Sequence, residues 1–292
     1  MKPPEETPLA ALLDEGAARL KQAGLDDPRR RARQVVSVVA GVELADMLGR
    51  SAIGLPADRA AACRAAFDRL ASGEPLSRIA GRREFWGRDF ALSPATLDPR
   101  PDTETVIEAV LDLWPDRVAP LRIADLGTGA GAIALTLAAE YPRAHVLATD
   151  LNPAALLTAR ANAAAFGVED RVQFVCADWL APISGLFDLV VSNPPYITTR
   201  TISSLDRAVT AFDPRLALDG GADGMDCYRA ILAAAPGRLN PGGWIVLEIG
   251  AAMEDDVLRE AARHMVVGES RTWRDLARIV RVVGLRPCKP KS

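Results

Sequence analysis

The sequence predicts an α/β fold: a mostly parallel sheet covered by helices on both faces, preceded by a small all-α domain. From about residue 121 onward, short apolar runs alternate with helical patterns, as in a parallel sheet. Residues 1–80 instead show helical periodicity. The chain has 292 residues, of which 49% are hydrophobic and 25% charged, so it can fill the cores of two domains.

The first 80 residues contain three predicted helices. Thr7-Pro8 supplies an N-cap and a first-turn proline for the first helix, which Gly24 ends. Asp27-Pro28 begins the second helix with the same chemistry. An Ala-rich third helix is expected over 57–71, and Gly73 follows its end. We therefore expect a separate helical domain over residues 1–80.

Residues 81–100 predict a β-hairpin that links the two domains. A polar turn, Gly87-Arg88-Asp89, separates two short runs that carry Phe85, Trp86, Phe90 and Leu92. Prolines then stiffen the chain before a helix whose cap is expected at Asp102 or Thr103.

Residues 101–292 predict the α/β domain. Strands are expected at Arg122–Leu126, His145–Thr149, Val172–Ala177, Leu189–Ser192, Trp244–Ile249 and Ile279–Val283. Helices are expected at Ala130–Ala139, Pro153–Phe166 and Met253–His264. Because strands and helices alternate, the strands are expected to run parallel, with their carboxyl ends at one edge of the sheet.

Composition argues against several classes of protein. The formal net charge is −3, so there is no overall basic field for a nucleic-acid backbone. Two histidines and four separated cysteines predict neither a metal cluster nor a disulfide framework. No apolar run approaches the roughly 20 residues of a membrane span, and the N-terminus lacks the apolar core of a signal peptide. We expect a cytoplasmic protein without a bound metal.

A glycine-rich loop follows the first predicted strand of the sheet: Asp125-Leu126-Gly127-Thr128-Gly129-Ala130-Gly131. Glycines in such a loop allow a tight turn and let a ligand approach the backbone. The loop could be an ordinary strand–helix connection, and it also fits the G-x-G-x-x-A pattern of nicotinamide enzymes through Ala132. The third glycine and the acidic Asp125 favour the D-x-G-x-G-x-G loop of S-adenosylmethionine enzymes, since a carboxylate suits a cationic ligand.

Acidic residues end the next two predicted strands. Asp150 could accept hydrogen bonds from both hydroxyls of a ribose, or it could cap the following helix, a role that Asn152 fills equally well. Asp178 and Trp179 lie where an adenine would bind, with the acid reading the exocyclic amine and the indole packing on the ring. Trp179 could equally belong to the core.

The fourth strand ends in Asn193-Pro194-Pro195-Tyr196. The prolines fix φ and keep Asn193 out of the helical region, so the loop is rigid. It offers a side-chain amide, backbone carbonyls and an aromatic face, which together suit a planar amino group. A structural Pro-Pro turn is the simpler interpretation, but the preceding loop and acidic strand end make it the weaker one.

These motifs together resemble the class I methyltransferases that modify planar nitrogens. Three stretches narrow the resemblance to the protein-(glutamine-N5) methyltransferases of peptide chain release factors, the HemK/PrmC family. They are Gly81–Gly87 with Pro99–Glu104, Ile123–Leu135, and Asn193–Ile197 with Phe212–Gly221 and Asp223-Gly224. The resemblance covers nearly the whole chain.

The resemblance implies a Rossmann-like, mostly parallel seven-stranded sheet and S-adenosylmethionine as cofactor. It implies methyl transfer to the glutamine N5 of the Gly-Gly-Gln loop in class I release factors, with no direct nucleic-acid or membrane partner. The helical domain would dock the release factor. The cofactor would be held by Asp125, Gly127, Thr128, Gly129, Ala130, Gly131, Asp150, Asp178, Trp179 and Asn193.

In such a site we expect Asn193 and Pro194 to accept the two amide hydrogens of the substrate and Tyr196 to hold the amide plane, with Pro195 completing the substrate pocket. The alternatives are a DNA or rRNA exocyclic-amine methyltransferase that uses the same motif, a nicotinamide oxidoreductase, and a non-catalytic cofactor-binding scaffold. A base-flipping enzyme normally brings a basic surface, which the net charge does not provide.

Two stretches depart from the family's pattern. Asp98 stands where the family usually has an apolar residue, and Asp275–Arg281, which includes Arg278–Val280, replaces a more polar run that contains glycine and aspartate. We expect these departures to affect local packing and the last strand rather than the reaction.

Overall fold

The structure, a computed structural model, describes residues 6–48, 54–181 and 183–288. The chain divides into two compact units, Met1–Gly81 and Arg82–Ser292. The boundary lies at the start of the predicted hairpin.

The first unit is a helical cluster with one short ribbon. Its helices are α1 (Leu9–Gln22), α2 (Pro28–Ala40), α3 (Leu44–Leu48), α4 (Ala57–Ala71) and α5 (Leu76–Ala80). Strands β1 (Glu6–Pro8) and β2 (Gly54–Pro56) pair antiparallel. Leu12, Leu20, Val35 and Phe67 are fully buried between the helices and form the centre of the core.

The helix starts of this unit were predicted with mixed success. Asp27 caps α2, because its side chain accepts from the Arg30 N–H, and α4 has the predicted bounds. The cap expected at Thr7 is wrong. Thr7 pairs with Leu55 in the ribbon, and Pro8 occupies the N-cap position of α1 without a side-chain bond.

The second unit contains a β-hairpin, a seven-stranded sheet and seven α-helices in its described part. The hairpin strands are β3 (Arg82–Phe85) and β4 (Arg88–Ala91). The sheet strands are β5 (Arg122–Leu126), β6 (His145–Asp150), β7 (Val172–Cys176), β8 (Phe187–Ser192), β9 (Leu239–Glu248), β10 (Val267–Arg274) and β11 (Val280–Pro287). The helices are α6 (Glu104–Leu113), α7 (Ala132–Glu140), α8 (Pro153–Phe166), α9 (Thr199–Ile202), α10 (Arg207–Thr210), α11 (Asp226–Ala234) and α12 (Glu254–His264).

The sheet order is β10-β11-β9-β8-β5-β6-β7, and only β11 is antiparallel to the other strands. The predicted mostly parallel, seven-stranded sheet is confirmed. Because β5, β6, β8 and β9 are parallel, their carboxyl ends lie along one edge, where open α/β sheets bind ligands. Asp125, Asp150, Asn193 and Glu248 all lie at or next to these ends.

Most predicted elements of this unit are present. α8 has the predicted bounds, whereas β9 begins at Leu239 rather than at Trp244. Strand β10 was not predicted. It is an edge strand paired only with β11, and its polar sequence shows little of the apolar alternation by which a strand is recognised.

The hairpin packs within the second unit. Phe85 and Phe90 are fully buried in the same core cluster as the apolar residues of α6 and α7. Asn162 of α8 accepts from the Ala91 N–H at 2.9 Å and donates to the Ala130 carbonyl at 2.9 Å. The hairpin therefore supports the glycine-rich loop from behind.

No helix in the described part of the chain is long and apolar enough to span a membrane.

Candidate active site

The glycine-rich loop joins β5 to α7 and is stabilised by hydrogen bonds to Asp125. Gly127, Gly129 and Gly131 have φ values of 71°, 57° and 88°, a region that glycine adopts without strain. The Asp125 Oδ2 accepts from the Thr128 hydroxyl at 2.6 Å and from the Ala134 N–H at 3.2 Å. Burial raises the pKa of Asp125 to about 7, against these two bonds.

Only part of this loop faces the cavity at the sheet edge. Gly127 and Gly129 line the cavity, whereas Asp125, which is 1% exposed, stabilises the loop through hydrogen bonds. Thr128, Ala130 and Gly131 are likewise not among the residues that line it. Direct contact of these four residues with a cofactor stays a prediction.

Asp150 lies at the end of β6 and faces the same cavity. Its Oδ2 accepts from the Gly129 N–H at 2.9 Å, and its Oδ1 accepts from the Asn152 N–H at 2.8 Å. The cap of α8 is Asn152, whose side chain accepts from the Ala154 N–H. Burial raises the pKa of Asp150. Each carboxylate oxygen keeps a further lone pair, so a ribose diol can still be bound.

Asp178 and Trp179 follow β7 and also line this cavity. Trp179 has a φ of 51°, which a bulky side chain rarely adopts. A Cβ built on Gly127 would lie 3.4 Å from its ring, so the indole packs over the glycine-rich loop. Strain of this kind is concentrated at ligand sites.

Asn193 is oriented by Thr103. The Asn193 Nδ2 donates to the Thr103 Oγ1 at 3.1 Å. Thr103 occupies the N-cap position of α6, as one of the two predicted cap sites, but its side chain makes no capping bond. Its hydroxyl serves Asn193 instead.

Behind this pair lies Glu248, the last residue of β9, which is 2% exposed. Burial raises the pKa of Glu248 to about 7, although the nearby Thr103 hydroxyl and Asn193 amide favour its ionised form. Among the described residues its Oε2 has no hydrogen-bond partner. The Tyr228 hydroxyl donates to its backbone carbonyl at 2.8 Å and holds the strand end in place.

The Asn-Pro-Pro-Tyr loop is pressed against two glycines further along the chain. A Cβ built on Gly220 would lie 2.8 Å from the Pro195 carbonyl oxygen, and one built on Gly224 would clash with the backbone carbonyl oxygen of Tyr196. The Ile197 N–H donates to the Leu218 carbonyl at 3.1 Å. Gly220 and Gly224 therefore fix the position of the Tyr196 backbone.

Two cavities meet at this loop. The first, of about 250 Å³, is lined by the glycine-rich loop, Asp150, Asp178 and Trp179. The second, of about 340 Å³, is lined by Pro194, Tyr196, Glu248 and others. Four residues line both cavities: Leu97, Asn193, Pro195 and Ala217. Asn193 therefore stands between the two cavities.

Both arginines that line the second cavity are paired with carboxylates. Arg100 Nη2 lies 2.5 Å from Asp213 Oδ2, and Arg281 Nη2 lies 3.0 Å from Asp102 Oδ2. Burial raises the pKa of Tyr196, and the nearby charge of Glu248 adds to the shift. The cavity therefore has little excess positive charge.

The two departures from the family's pattern are accommodated locally. Asp98 is buried and forms an ion pair with Arg83 at 3.7 Å. Asp275 closes the turn between β10 and β11 and binds Arg281 at 2.8 Å, which places Arg281 beside Asp102. The last strand is formed despite the altered turn.

Sequence reasoning missed several residues of the site. It assigns Thr103 only a helix cap, although its hydroxyl bonds to Asn193, and it assigns Glu248 only to a strand, although it lines the second cavity. The apolar residues of the first cavity, among them Leu151 and Leu216, carry no motif. Among the described residues, no group of three or more His, Cys, Asp or Glu is placed to hold a metal ion.

This sheet and its two adjoining cavities define a class I methyltransferase that uses S-adenosylmethionine. The cavity beside the glycine-rich loop has groups that suit that cofactor, since it combines the Asp150 carboxylate with the Trp179 indole and apolar side chains. A family model described as the methyltransferase small domain matches residues 108–212, and one described as the PrmC N-terminal domain matches residues 11–81.

The chain belongs to the release factor glutamine methyltransferase family. It is 43% identical to the release factor glutamine methyltransferase of Bradyrhizobium diazoefficiens over 94% of this chain and 93% of that protein. It is 46% identical to that of Rhodospirillum rubrum over 85% and 76% of the two chains, and 45% identical to that of Moorella thermoacetica over 83% and 86%.

Solved structures share the fold at low sequence identity. The 16S rRNA N2 G1207 methyltransferase of T. thermophilus gives a TM-score of 0.51 at 21% identity, over 71% of this chain and 50% of that chain. The hMettl16 catalytic domain gives 0.56 at 16% identity, over 81% and 85%. At these identities the likeness concerns the fold alone.

Proposed function

We propose that this protein transfers a methyl group from S-adenosylmethionine to the side-chain amide nitrogen, N5, of the glutamine in the Gly-Gly-Gln loop of class I release factors. The observation that carries the proposal is the position of Asn193, which lines both cavities at once. A donor bound in the first cavity and an amide bound in the second would meet at this residue.

The chemistry follows from the polar groups at this junction. The methyl donor, when bound, supplies an electrophilic carbon attached to a sulfonium. A new carbon–nitrogen bond forms as the carbon–sulfur bond breaks, and the methylated amide then releases one proton to water. A strong base is not required, because the protonated amide is acidic.

Asn193 and Pro194 would hold the acceptor amide. The Asn193 Nδ2 is already engaged with Thr103, so the Oδ1 is the atom left to accept from the substrate. The Pro194 carbonyl would accept the second amide hydrogen, and the Tyr196 ring would cover the amide plane. Fixing both hydrogens aims the nitrogen lone pair at the methyl group before reaction.

The charges around the second cavity favour a neutral acceptor on a protein. Arg100 and Arg281 are both neutralised by carboxylates, so neither is available as a free cation for a phosphate backbone. An uncharged glutamine on a narrow loop requires no such cation. The proposal places the enzyme in the cytoplasm, where translation termination takes place.

The helical unit is proposed to dock the release factor. The glycine-rich loop, Asp150 and Asn193 all belong to the second unit, so the first unit has no part in the cavities described. A chain that begins at Arg82 keeps the buried Phe85 and Phe90 and is expected to bind the cofactor normally. It should methylate a release factor poorly, and equal activity of the short and full chains would exclude docking by this unit.

The proposal is tested by incubating the full chain with labelled S-adenosylmethionine and a class I release factor. Mass spectrometry should show a gain of about 14 Da, the mass of a methylene, on the Gly-Gly-Gln glutamine. The matched control is the same release factor with that glutamine replaced by alanine, which should stay unlabelled. Label on DNA or rRNA, with none on the release factor, would support the nucleic-acid alternative and overturn the proposal.

A further inference from the structure

We propose that Thr103 and Glu248 are positioning residues that fix which end of the Asn193 side-chain amide faces the acceptor. This inference rests on the proposed function, because it concerns how the same site holds its substrate amide. The three side chains come from separate elements: the turn before α6, the end of β8 and the end of β9.

The orientation of an asparagine amide has to be fixed by its neighbours, because its Oδ1 and Nδ2 atoms have nearly the same shape. The Oδ1 can only accept hydrogen bonds, and the Nδ2 can only donate them. If the side chain turned over, it would present two donor hydrogens to the substrate amide's own hydrogens. The acceptor would then be repelled instead of being held.

Glu248 determines which groups in this network donate hydrogen bonds and which accept them. Glu248 and Asn193 line the same cavity. Above its pKa of about 7 the Glu248 carboxylate is ionised and has no hydrogen to donate, and Thr103 and Asn193 stabilise it as donors. A hydroxyl has a single hydrogen, and when Thr103 gives it to Glu248 only its lone pairs remain for Asn193. The Asn193 Nδ2 therefore donates to the Thr103 Oγ1, at 3.1 Å, and the Oδ1 is turned away from the network.

The burial of Glu248 supports a role beyond packing. Its side chain is 2% exposed, and among the described residues its Oε2 has no hydrogen-bond partner. An isolated buried carboxylate is costly for folding, so an apolar residue would serve the core better. Among the charged groups nearby, Asp102 opposes its ionisation and Arg281 favours it. Tyr196 and Tyr228 also lie close to this carboxylate.

The test compares Thr103→Val, Thr103→Ser and Glu248→Gln in the full chain with a release factor and saturating S-adenosylmethionine. Loss of one such bond should lower kcat about 10- to 100-fold in Thr103→Val and Glu248→Gln, with KM for the release factor within about threefold of wild type. Thr103→Ser keeps the hydroxyl and should keep kcat within about threefold of wild type.

Two matched variants control for the loss of a buried polar group elsewhere. Thr136→Val removes a fully buried hydroxyl in α7, and Glu260→Gln neutralises a buried carboxylate in α12. Both should keep the wild-type kcat. The melting temperature of Glu248→Gln at pH 8 should not fall below that of the wild type, so activity and stability should change independently.

Wild-type kcat in Thr103→Val, or equal losses in Thr103→Ser and Thr103→Val, would overturn the positioning role. A second measurement separates this failure from that of the proposed function. The side-chain amide signals of Asn193, assigned by their loss in Asn193→Ala, are recorded by NMR without substrate. They should shift in Thr103→Val and stay near the wild-type position in Thr103→Ser, even if release factor proves not to be methylated. Unchanged signals in Thr103→Val would contradict the inference.

Discussion

Two buried carboxylates at the same sheet edge, Asp125 and Glu248, differ in where their interaction partners lie in the sequence. Both lie in the last two residues of a sheet strand, and burial raises the pKa of each to about 7. Asp125 bonds to residues of its own loop and of the helix that follows, no more than nine positions away. Glu248 instead interacts with side chains from two distant segments, and one of its oxygens has no partner among the described residues.

The difference indicates how the two halves of the site are built. In the proposed donor half, the cavity beside the glycine-rich loop, only the loop itself is local: it joins β5 to α7, and Asp125 stabilises it through short-range hydrogen bonds. The acceptor half is assembled by tertiary structure, since Thr103 and Asn193 are 90 residues apart in the chain. Changes in the donor half should therefore affect cofactor affinity, and changes in the acceptor half should affect the rate of transfer.

The largest effect is expected from Asn193→Ala, in the acceptor half. Removing one preorganised polar group of this kind typically costs about 10²–10³ in rate, or roughly 2.7–4 kcal/mol. The loss should appear in kcat, with a smaller change in KM for the release factor, because the interaction matters most as the nitrogen attacks. Single-turnover methylation measures it. Near-wild-type turnover would show that Asn193 has no role in methyl transfer and is only a strand-end residue before a Pro-Pro turn.

The next effect concerns stability and pH. The pKa of Glu248 is raised from its ordinary value of 4.5 to about 7, so the folded state holds its proton more tightly than the unfolded state. The contribution of this group to stability is complete below about pH 4.5 and is lost as the pH rises through 7, at a cost of about 3 kcal/mol. Glu248→Gln should remove that part of the fall in unfolding free energy, measured by urea denaturation at several pH values. An unchanged fall would show that the carboxyl does not titrate in this range.

In the donor half, Asp150→Ala should weaken the binding of S-adenosylmethionine. Loss of a charge-assisted bond to ribose costs roughly 1.5–3 kcal/mol, which is about 10- to 100-fold in Kd. Titration calorimetry provides the measurement. Asp188→Asn is a matched control, because Asp188 also accepts from a backbone N–H, that of Arg122 at 2.8 Å, but lies outside both cavities. Unchanged affinity for S-adenosylmethionine in Asp150→Ala would show that Asp150 does not bind the ribose.

The smallest effect is expected from Gly224→Ala, which tests the support of Tyr196. A methyl group there would clash with the backbone carbonyl oxygen of Tyr196, and the φ of 80° is itself unfavourable for alanine. We expect a loss of about 1–3 kcal/mol in unfolding free energy, together with lower kcat. Gly237→Ala, where a Cβ meets nothing within 4 Å, should leave both values unchanged. A Gly224→Ala variant with wild-type stability and kcat would show that this close approach is not needed.

The sequence was sufficient to predict six of the seven sheet strands and the place of the glycine-rich loop. The glycine-rich loop, Asp150 and the strand before Asn193 are each recognisable from a few consecutive residues, because their chemistry depends on local backbone geometry. The helix cap at Asp27 was predictable for the same reason.

The acceptor half could not be predicted in full, for physical reasons. Thr103 lies at a helix start and has a suitable capping side chain, yet its hydroxyl is used by a residue 90 positions away. Glu248 lies in an apolar strand whose pattern indicates only burial. Edge strand β10 is polar and was missed, since its pairing depends on its neighbour β11 and not on its own sequence.

The central claim is that donor and acceptor are held by different ends of one sheet edge and meet at Asn193. Its most direct test measures the single-turnover rate of release-factor methylation at saturating S-adenosylmethionine, with the cofactor Kd, in Asp150→Ala and Asn193→Ala side by side. Asp150→Ala should recover most of the wild-type rate at saturation while its Kd stays weakened, and Asn193→Ala should keep its Kd and lose about 10²–10³ in rate. Equal losses of affinity and rate in both variants would contradict the division of the site into two halves.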